Sequence, residues 1–342
     1  MKIIDLRSDT VTLPTQEMLE VALKVPLGDD VYEEDPTVNK LQELAAKKMG
    51  KEKAVLVTSG TQGNLVSILS HTKRGDEVIV EATSHVYINE VGGMSAVGGL
   101  FPRPIPGKMG VLDPDVVEKA IREKNIHYPE PSVISIENTH NSAGGTCWKP
   151  SQIKAVAEVA KKHGMSLHMD GARIFNSAIA QNIDVKDMTR HVDSVMFCLS
   201  KGLSAPIGSL VVGSEEFVER ARKWRKMLGG GMRQAGVIAA PGIIALEKMV
   251  DRLREDHENA RALAEGLAQI RVIAIDLAAV QTNIVRYDIA GTGMDANQFI
   301  AELDKNGIKT AGSRTNIRMV THRMISREDI DYTLKTVERL FK

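Results

Sequence analysis

Lys201 stands in the stretch Phe197-Cys198-Leu199-Ser200-Lys201-Gly202, after an apolar run and a serine. Apolar surroundings disfavour the ammonium form and free the amine as a nucleophile for Schiff-base chemistry; a lysine snorkelling to solvent at a strand end would read the same in isolation. Asp170, in His168-Met169-Asp170-Gly171-Ala172-Arg173, could partner a pyridinium nitrogen, whose retained charge makes the ring an electron sink, or could cap a helix starting at Gly171. Thr58-Ser59-Gly60-Thr61-Gln62-Gly63-Asn64 sets glycines between a strand and a helix, where free N–H groups could receive a phosphate. It matches neither the P-loop nor the G-x-G-x-x-G pattern. His85, in Ala82-Thr83-Ser84-His85, could stack on an aromatic cofactor ring or move protons near neutral pH, and His127 is a second histidine candidate. Arg173, Arg233 and Arg318 suit an anion clamp. Arg318 is flanked by Ile317 and Met319, and a buried guanidinium needs a partner, which a bound anion or an internal carboxylate would equally supply.

Apolar runs at 54–58, 77–80, 132–137, 167–170, 194–199 and 207–212 read as buried strands. Between them, 64–71 and 150–163 carry helical patterning, the second closed by Gly164 as a C-terminal cap. Strands alternating with helices imply a mostly parallel sheet with helices on both faces. Polar residues gather where strands end, at 59–61, 84–85, 138–141, 170–173 and 200–201. In such sheets the ligand crevice lies beyond the carboxyl ends of the strands, so one large site is expected. From Asp251 to Arg261 the chain becomes a charged helix, followed by strands near 272–275 and 283–285 and helices near 297–304 and 327–341. This predicts a large domain over 1–250, including the N-terminal segment, and a smaller α+β domain over 251–342.

Composition narrows the function. Across 342 residues, 44 Lys and Arg balance 44 Asp and Glu, and that argues against a nucleic-acid or anionic-membrane binder, which would want a basic surplus. Cys147 and Cys198 stand alone, so neither a disulfide framework nor a thiolate metal cage is expected and the cytoplasm is the natural compartment. The first ten residues meet charge every second or third position and lack an apolar signal region. The longest apolar stretch, Ala235 to Leu246, is broken by Gly236, Pro241 and Gly242 and falls short of the ~20 residues that span a bilayer. No metalloprotease, C-x-x-C or G-x-S-x-G motif is present.

Taken together, the chain resembles the fold-type I pyridoxal-phosphate enzymes, and among them the low-specificity L-threonine aldolases. The resemblance spans almost the whole chain and rests on Asp5-Leu6-Arg7-Ser8-Asp9-Thr10-Val11-Thr12, Gly28-Asp29-Asp30-Val31-Tyr32, Ser59-Gly60-Thr61, Glu137-Asn138-Thr139-His140-Asn141, the run from His168 to Asn176, Leu199-Ser200-Lys201-Gly202, Gly229-Gly230-Gly231-Met232-Arg233-Gln234 and Arg318-Met319-Val320-Thr321-His322. It departs at Glu33, where glycine is expected after Val31-Tyr32. The resemblance implies a seven-stranded, mostly parallel sheet flanked by helices, and retro-aldol cleavage of L-threonine and L-allo-threonine to glycine and acetaldehyde. It implies that Lys201 carries pyridoxal 5'-phosphate as a Schiff base, that Asp170 pairs with the ring nitrogen and that His85 stacks on the ring. Gly60, Thr61 and Ser200 would hold the cofactor, joined by Lys226 and Arg233 of a neighbouring subunit. Ser8, Arg173 and Arg318 would bind the substrate carboxylate, Arg173 also touching the cofactor, and His127 would lie near the β-hydroxyl. The base would be His85, His127 or water. The assembly implied is a homotetramer with sites at subunit interfaces. Two rivals are a β-eliminating lyase using the same cofactor and a cofactor-free binding scaffold.

Overall fold

The computed structural model describes residues 2–341. Its strands are β1 (Ile4–Asp5), β2 (Lys53–Val57), β3 (Glu77–Glu81), β4 (Phe101–Ile105), β5 (Pro131–Glu137), β6 (Ser166–Asp170), β7 (Ser194–Cys198), β8 (Ser209–Gly213), β9 (Ile284–Asp288), β10 (Ile308–Lys309), β11 (Ala311–Ser313) and β12 (Asn316–Val320). Seven of them form one sheet in the order β2-β8-β7-β6-β5-β3-β4. Only β8 runs against its neighbours in that sheet, being antiparallel to β2 and β7. Strands β3, β7 and β8 are buried at every position, which is why they read as unbroken apolar runs rather than as an alternation.

Alternation still decides which way each side chain points. On β7, Val195 and Phe197 pack into the core beneath the helices Pro36–Met49 and Pro150–Lys162, whereas Met196 and Cys198 face the opposite layer. On β6, Leu167 and Met169 join the first core, so His168 and Asp170 project to the other face, beneath helix Gly60–His71. That helix starts four residues earlier than patterning suggested, because Ser59 caps it by accepting from the Gln62 N–H at 3.1 Å. Its first turn sits hard against β7: a Cβ at Gly63 would lie 2.5 Å from Met196 Cγ, and one at Gly60 would lie 2.9 Å from Cys198 Sγ. Both positions therefore require glycine.

The C-terminal part places the antiparallel sheet β11-β12-β9 against helices Leu253–Ala268, Ala296–Lys305 and Arg327–Leu340, around Leu263, Tyr287, Phe299, Ile317 and Met319. The N-terminal strand joins it: β1 pairs in parallel with β10, and Ile4 and Leu6 bury in this second core. The strand expected at 272–275 shrinks to one bridge, Ala274 to Asp288, since turns close in on both sides of it. Glu33 occupies left-handed backbone with φ of 61°, the conformation that glycine takes most readily. Its carboxylate is held by Arg222. Among the described residues, no helix is long and apolar enough to cross a membrane.

Candidate active site

A cavity of about 320 Å³ opens where β2, β5, β6 and β7 end, lined by Gly60, Thr61, His85, Asp170, Arg173, Ser200 and Lys201 among others. A larger hollow of about 720 Å³, beside Lys108, Cys147 and Gln281, contains none of the candidate site residues named above.

The floor is rich in carboxylates. Asp170 is 2% exposed; its Oδ1 accepts from the Ala172 N–H at 3.0 Å and its Oδ2 from Asn64 Nδ2 at 2.9 Å. The Asn64 amide also donates to Glu90 Oε1 at 2.8 Å, and His85 Nδ1 lies 2.8 Å from the same oxygen. Glu137 accepts from the His85 N–H at 2.7 Å and from the Asn141 N–H at 2.9 Å. Burial pushes the Glu90 and Glu137 carboxyls up, and the charge of Asp170 adds to it. The Glu90 hydrogen bond raises the His85 imidazole against the opposing effect of burial. His85, Glu90 and Asp170 offer ligand atoms within 4.8 Å of one another; the Asn64 amide already links the two carboxylates.

At the start of helix Gly60–His71, Ser59 takes the Gln62 N–H with its hydroxyl and the Gly63 N–H with its carbonyl. The N–H groups of Gly60 and Thr61 belong to the first turn, which has no helical acceptors of its own, and both residues line the cavity. The absent side chain at Gly60 and the positive end of the helix suit an anion there. Lys201 lies three residues past β7, its carbonyl accepting from the Thr12 hydroxyl at 3.0 Å and the Ser204 N–H at 2.8 Å.

The rim is cationic. Arg173 grips Asp9 through Nε and Nη2, each at 2.7 Å. Burial alone would raise Asp9, but the Arg173 charge and hydrogen bonds hold its carboxyl well below the usual range. Arg318 has no carboxylate within ion-pair distance among the described residues. Its Nη1 donates to the Arg7 carbonyl and its Nη2 to Asn141 Oδ1, both at 3.0 Å, while its Nε is buried with no partner. Burial and the like charge of Arg173 push it down to about 10. Arg173 Nη1 reaches the same Asn141 oxygen at 3.5 Å. Two guanidiniums thus converge on one amide oxygen with a single carboxylate between them.

Other residues singled out in the sequence stand elsewhere in this chain. Ser8 caps the turn Asp9–Val11 by accepting from the Thr10 N–H at 3.2 Å, beside Asp9 but outside the cavity lining. His127 is exposed on the loop after helix Pro114–Ala120. Lys226 lies in the last turn of helix Glu215–Met227, and Arg233 pairs with Asp29 at 3.2 Å; neither lines the cavity. Conversely, Asp9, Asn64, Glu90, Glu137 and Asn141 are parts of the site to which residue type and spacing gave no role. Four of them fall within motifs quoted above; Glu90 carries no sequence signal at all.

A family model described as β-eliminating lyase matches residues 5–290. Low-specificity L-threonine aldolase 1 of Arabidopsis thaliana is 43% identical over 345 residues, spanning 99% of this chain and 96% of that protein. The low specificity L-threonine aldolase of Escherichia coli strain K12 is 43% identical over 328 residues, 96% of each. In shape, a threonine aldolase of Leishmania major superposes with a TM-score of 0.85 at 19% identity, covering 99% of this chain and all of that one. A serine palmitoyltransferase of Sphingomonas wittichii reaches 0.77 at 16% identity, over 98% and 86%. These two structures share the fold.

Proposed function

Since the chain belongs to the low-specificity L-threonine aldolase family, we propose that it cleaves L-threonine and L-allo-threonine to glycine and acetaldehyde, with pyridoxal 5'-phosphate held in the cavity of Lys201. One observation carries the reading: a helix first turn, a buried carboxylate and a lysine amine share one cavity. The residues fit the cofactor, because Gly60 and Thr61 bring a helix first turn with free N–H groups to the cavity and the carboxylate-rich floor suits a protonated ring nitrogen. When bound, pyridoxal phosphate supplies a conjugated sink for the electrons released as the substrate's Cα–Cβ bond breaks.

The chain's own residues do the rest. Gly60 and Thr61 hold the phosphate through their N–H groups, with Ser200 beside them and Lys226 and Arg233 contributed by a neighbouring subunit. Lys201 gives the amine that joins the cofactor covalently. Asp170 keeps a proton on the ring nitrogen, and His85, fixed by Glu90 and Glu137, packs against the ring. Arg318 takes the substrate carboxylate, which supplies the anion its surroundings lack. Arg173 keeps Nε and Nη2 on Asp9 and offers Nη1, and Ser8 completes that end. Clamping the carboxylate would fix the orientation of the substrate's Cα–Cβ bond toward the cofactor, which would supply the electron sink. His85, His127 or water removes the β-hydroxyl proton.

We place the protein in the cytoplasm as a homotetramer with sites at subunit interfaces. Support comes from two free thiols and from apolar side chains left exposed, including Tyr32, Val91 and Met227. Product identification tests the activity: glycine and acetaldehyde from threonine are expected, whereas a keto acid and ammonia would mean β-elimination. Borohydride reduction with peptide mapping should place the cofactor tag on Lys201, and a tag on another residue would overturn the assignment.

A further inference from the structure

Beneath the floor, a line of polar side chains runs on into the interior and has no part in the roles above. Asn64 and His71 stand seven residues apart on one face of helix Gly60–His71. His168 and Asp170 stand two apart on the facing side of β6, and Ser194 on β7 is the register partner of His168. Asn64, His168 and Ser194 are at most 1% exposed. Polar groups buried between a helix and a sheet are unfavourable unless every one is satisfied, and here each link is made. Asn64 Oδ1 lies 3.2 Å from His168 Nε2, His168 Nδ1 lies 2.9 Å from Ser194 Oγ, and Ser194 Oγ lies 2.8 Å from His71 Nε2.

The direction of each bond follows from its partners. Glu90 Oε1 and Asp170 Oδ2 are acceptors, so the Asn64 nitrogen faces them and its oxygen faces His168. A carbonyl oxygen has no hydrogen to give, so His168 Nε2 must carry one. Burial, assisted by the neighbouring His71, pushes His168 down to about 3; the ring is neutral and its Nδ1 accepts the single hydroxyl proton of Ser194. Ser194 can then only accept from His71, whose Nε2 must donate. His71, pushed down to about 4 by burial, is held by stacking on Phe217 at 4.6 Å between centroids.

We propose that His71, Ser194, His168 and Asn64 form a one-way hydrogen-bond line, every donor pointing toward Asp170, with Asn64 and His168 as positioning residues that hold Asp170 as the partner of the cofactor's ring nitrogen. The line rests on the reading of Asp170 given above. Its links polarise one another, and its loss leaves Asp170 Oδ2 without the donor it has in Asn64.

Two measurements test it. Solid-state ¹⁵N spectra of the histidine-labelled full chain, assigned by the signals lost in His168→Gln and His71→Gln, should show both rings neutral with Nε2 protonated, with and without cofactor. An Nδ1-protonated or cationic His168 overturns the line. In kinetics, His168→Leu should lower kcat about tenfold, the worth of one buried hydrogen bond, leave KM within about twofold and weaken pyridoxal phosphate uptake, read by absorbance titration. His168→Gln, which can still donate to Asn64, should recover most of each. A folded His168→Leu with unchanged kcat and cofactor uptake overturns the proposal. Should that variant fail to fold, Ser194→Ala serves instead: it removes the acceptor of His71 Nε2 and should move the His71 tautomer balance, while Asn64 keeps His168 protonated at Nε2; an unmoved His71 balance, or a His168 that switches to Nδ1, counts against the line. Wild-type chain that neither binds the cofactor nor cleaves threonine would instead refute the site reading, and the spectra would still decide the line.

Discussion

At the floor of the cavity three carboxylates are buried together: Glu90 meets the His85 ring, Glu137 meets the His85 N–H with His140 3.8 Å away, and Asp170 is held by Asn64; at the rim, Arg173 pairs with Asp9 while Arg318 has no carboxylate within ion-pair distance among the described residues. Each end is built with its own charge in excess. A compact protein usually pairs its buried ions internally, and an excess of one sign is unfavourable unless something completes it. The difference teaches which ligand charge each end accepts: a cationic ring nitrogen below and an anionic carboxylate above. A second buried pair shows the contrast. Arg225 and Asp30, both buried, meet at 2.7 Å, one charge of each sign.

Removing the covalent attachment should have the largest effect. Lys201→Ala is expected to cut turnover by more than about a thousandfold and to abolish the borohydride tag, which assay and mass mapping would show; retained turnover would detach the cavity from the chemistry. Next is the floor. Asp170→Asn keeps the shape and removes the charge, so kcat should fall by roughly a hundredfold with fold and cofactor cavity intact, as checked by kinetics and near-UV circular dichroism. The rim comes third. Arg318→Leu should raise KM for threonine by roughly tenfold to a hundredfold, the worth of a charge-assisted pair, while cofactor content stays constant; an equal effect on cofactor uptake would erase the division between floor and rim. Arg318→Lys should recover part of the loss.

The smallest effect on turnover is expected at Asp9, where the readout is stability against pH. Its folded carboxyl is held below the usual range by Arg173, so its stabilising contribution is complete above the unfolded value and shrinks as acid protonates the unfolded chain first. Between about pH 5 and pH 3, the urea midpoint of wild type should therefore fall more steeply than that of Asp9→Asn. Parallel slopes would mean that the pair adds nothing to folding.

Much of this arrangement was legible beforehand, and what escaped did so for identifiable reasons. Lys201, Asp170 and Gly60 follow apolar runs that could only be buried strands, so their place at strand ends was readable. The apolar flanks of Arg318 signalled burial, but the absence of an acidic partner is a fact about residues distant in sequence. Asn64 was read as opening a helix. Because Ser59 caps that helix four residues earlier, Asn64 becomes an interior position facing β6, and its bridging of Glu90 and Asp170 follows from packing. Glu90 sits in a loop without periodicity, where nothing local distinguishes a buried carboxylate from an exposed one. The likeness of 5–12 to a family motif marked the N-terminal segment as part of the site, yet the pairing of Ile4 with Ile308 leaves no trace in either stretch alone.

That pairing has a consequence for biosynthesis. Residues made early must wait for partners made much later: Ile4 donates to the Gly307 carbonyl and Lys2 reaches Asp329. Until then Leu6 has no core to enter, and Asp9 lacks the donor it receives from Asn283. Contacts across such separations form slowly, so a nascent chain can complete its large sheet while the cationic end of its cavity is still unassembled. Competence for substrate would then arrive abruptly, with the docking of a two-residue strand.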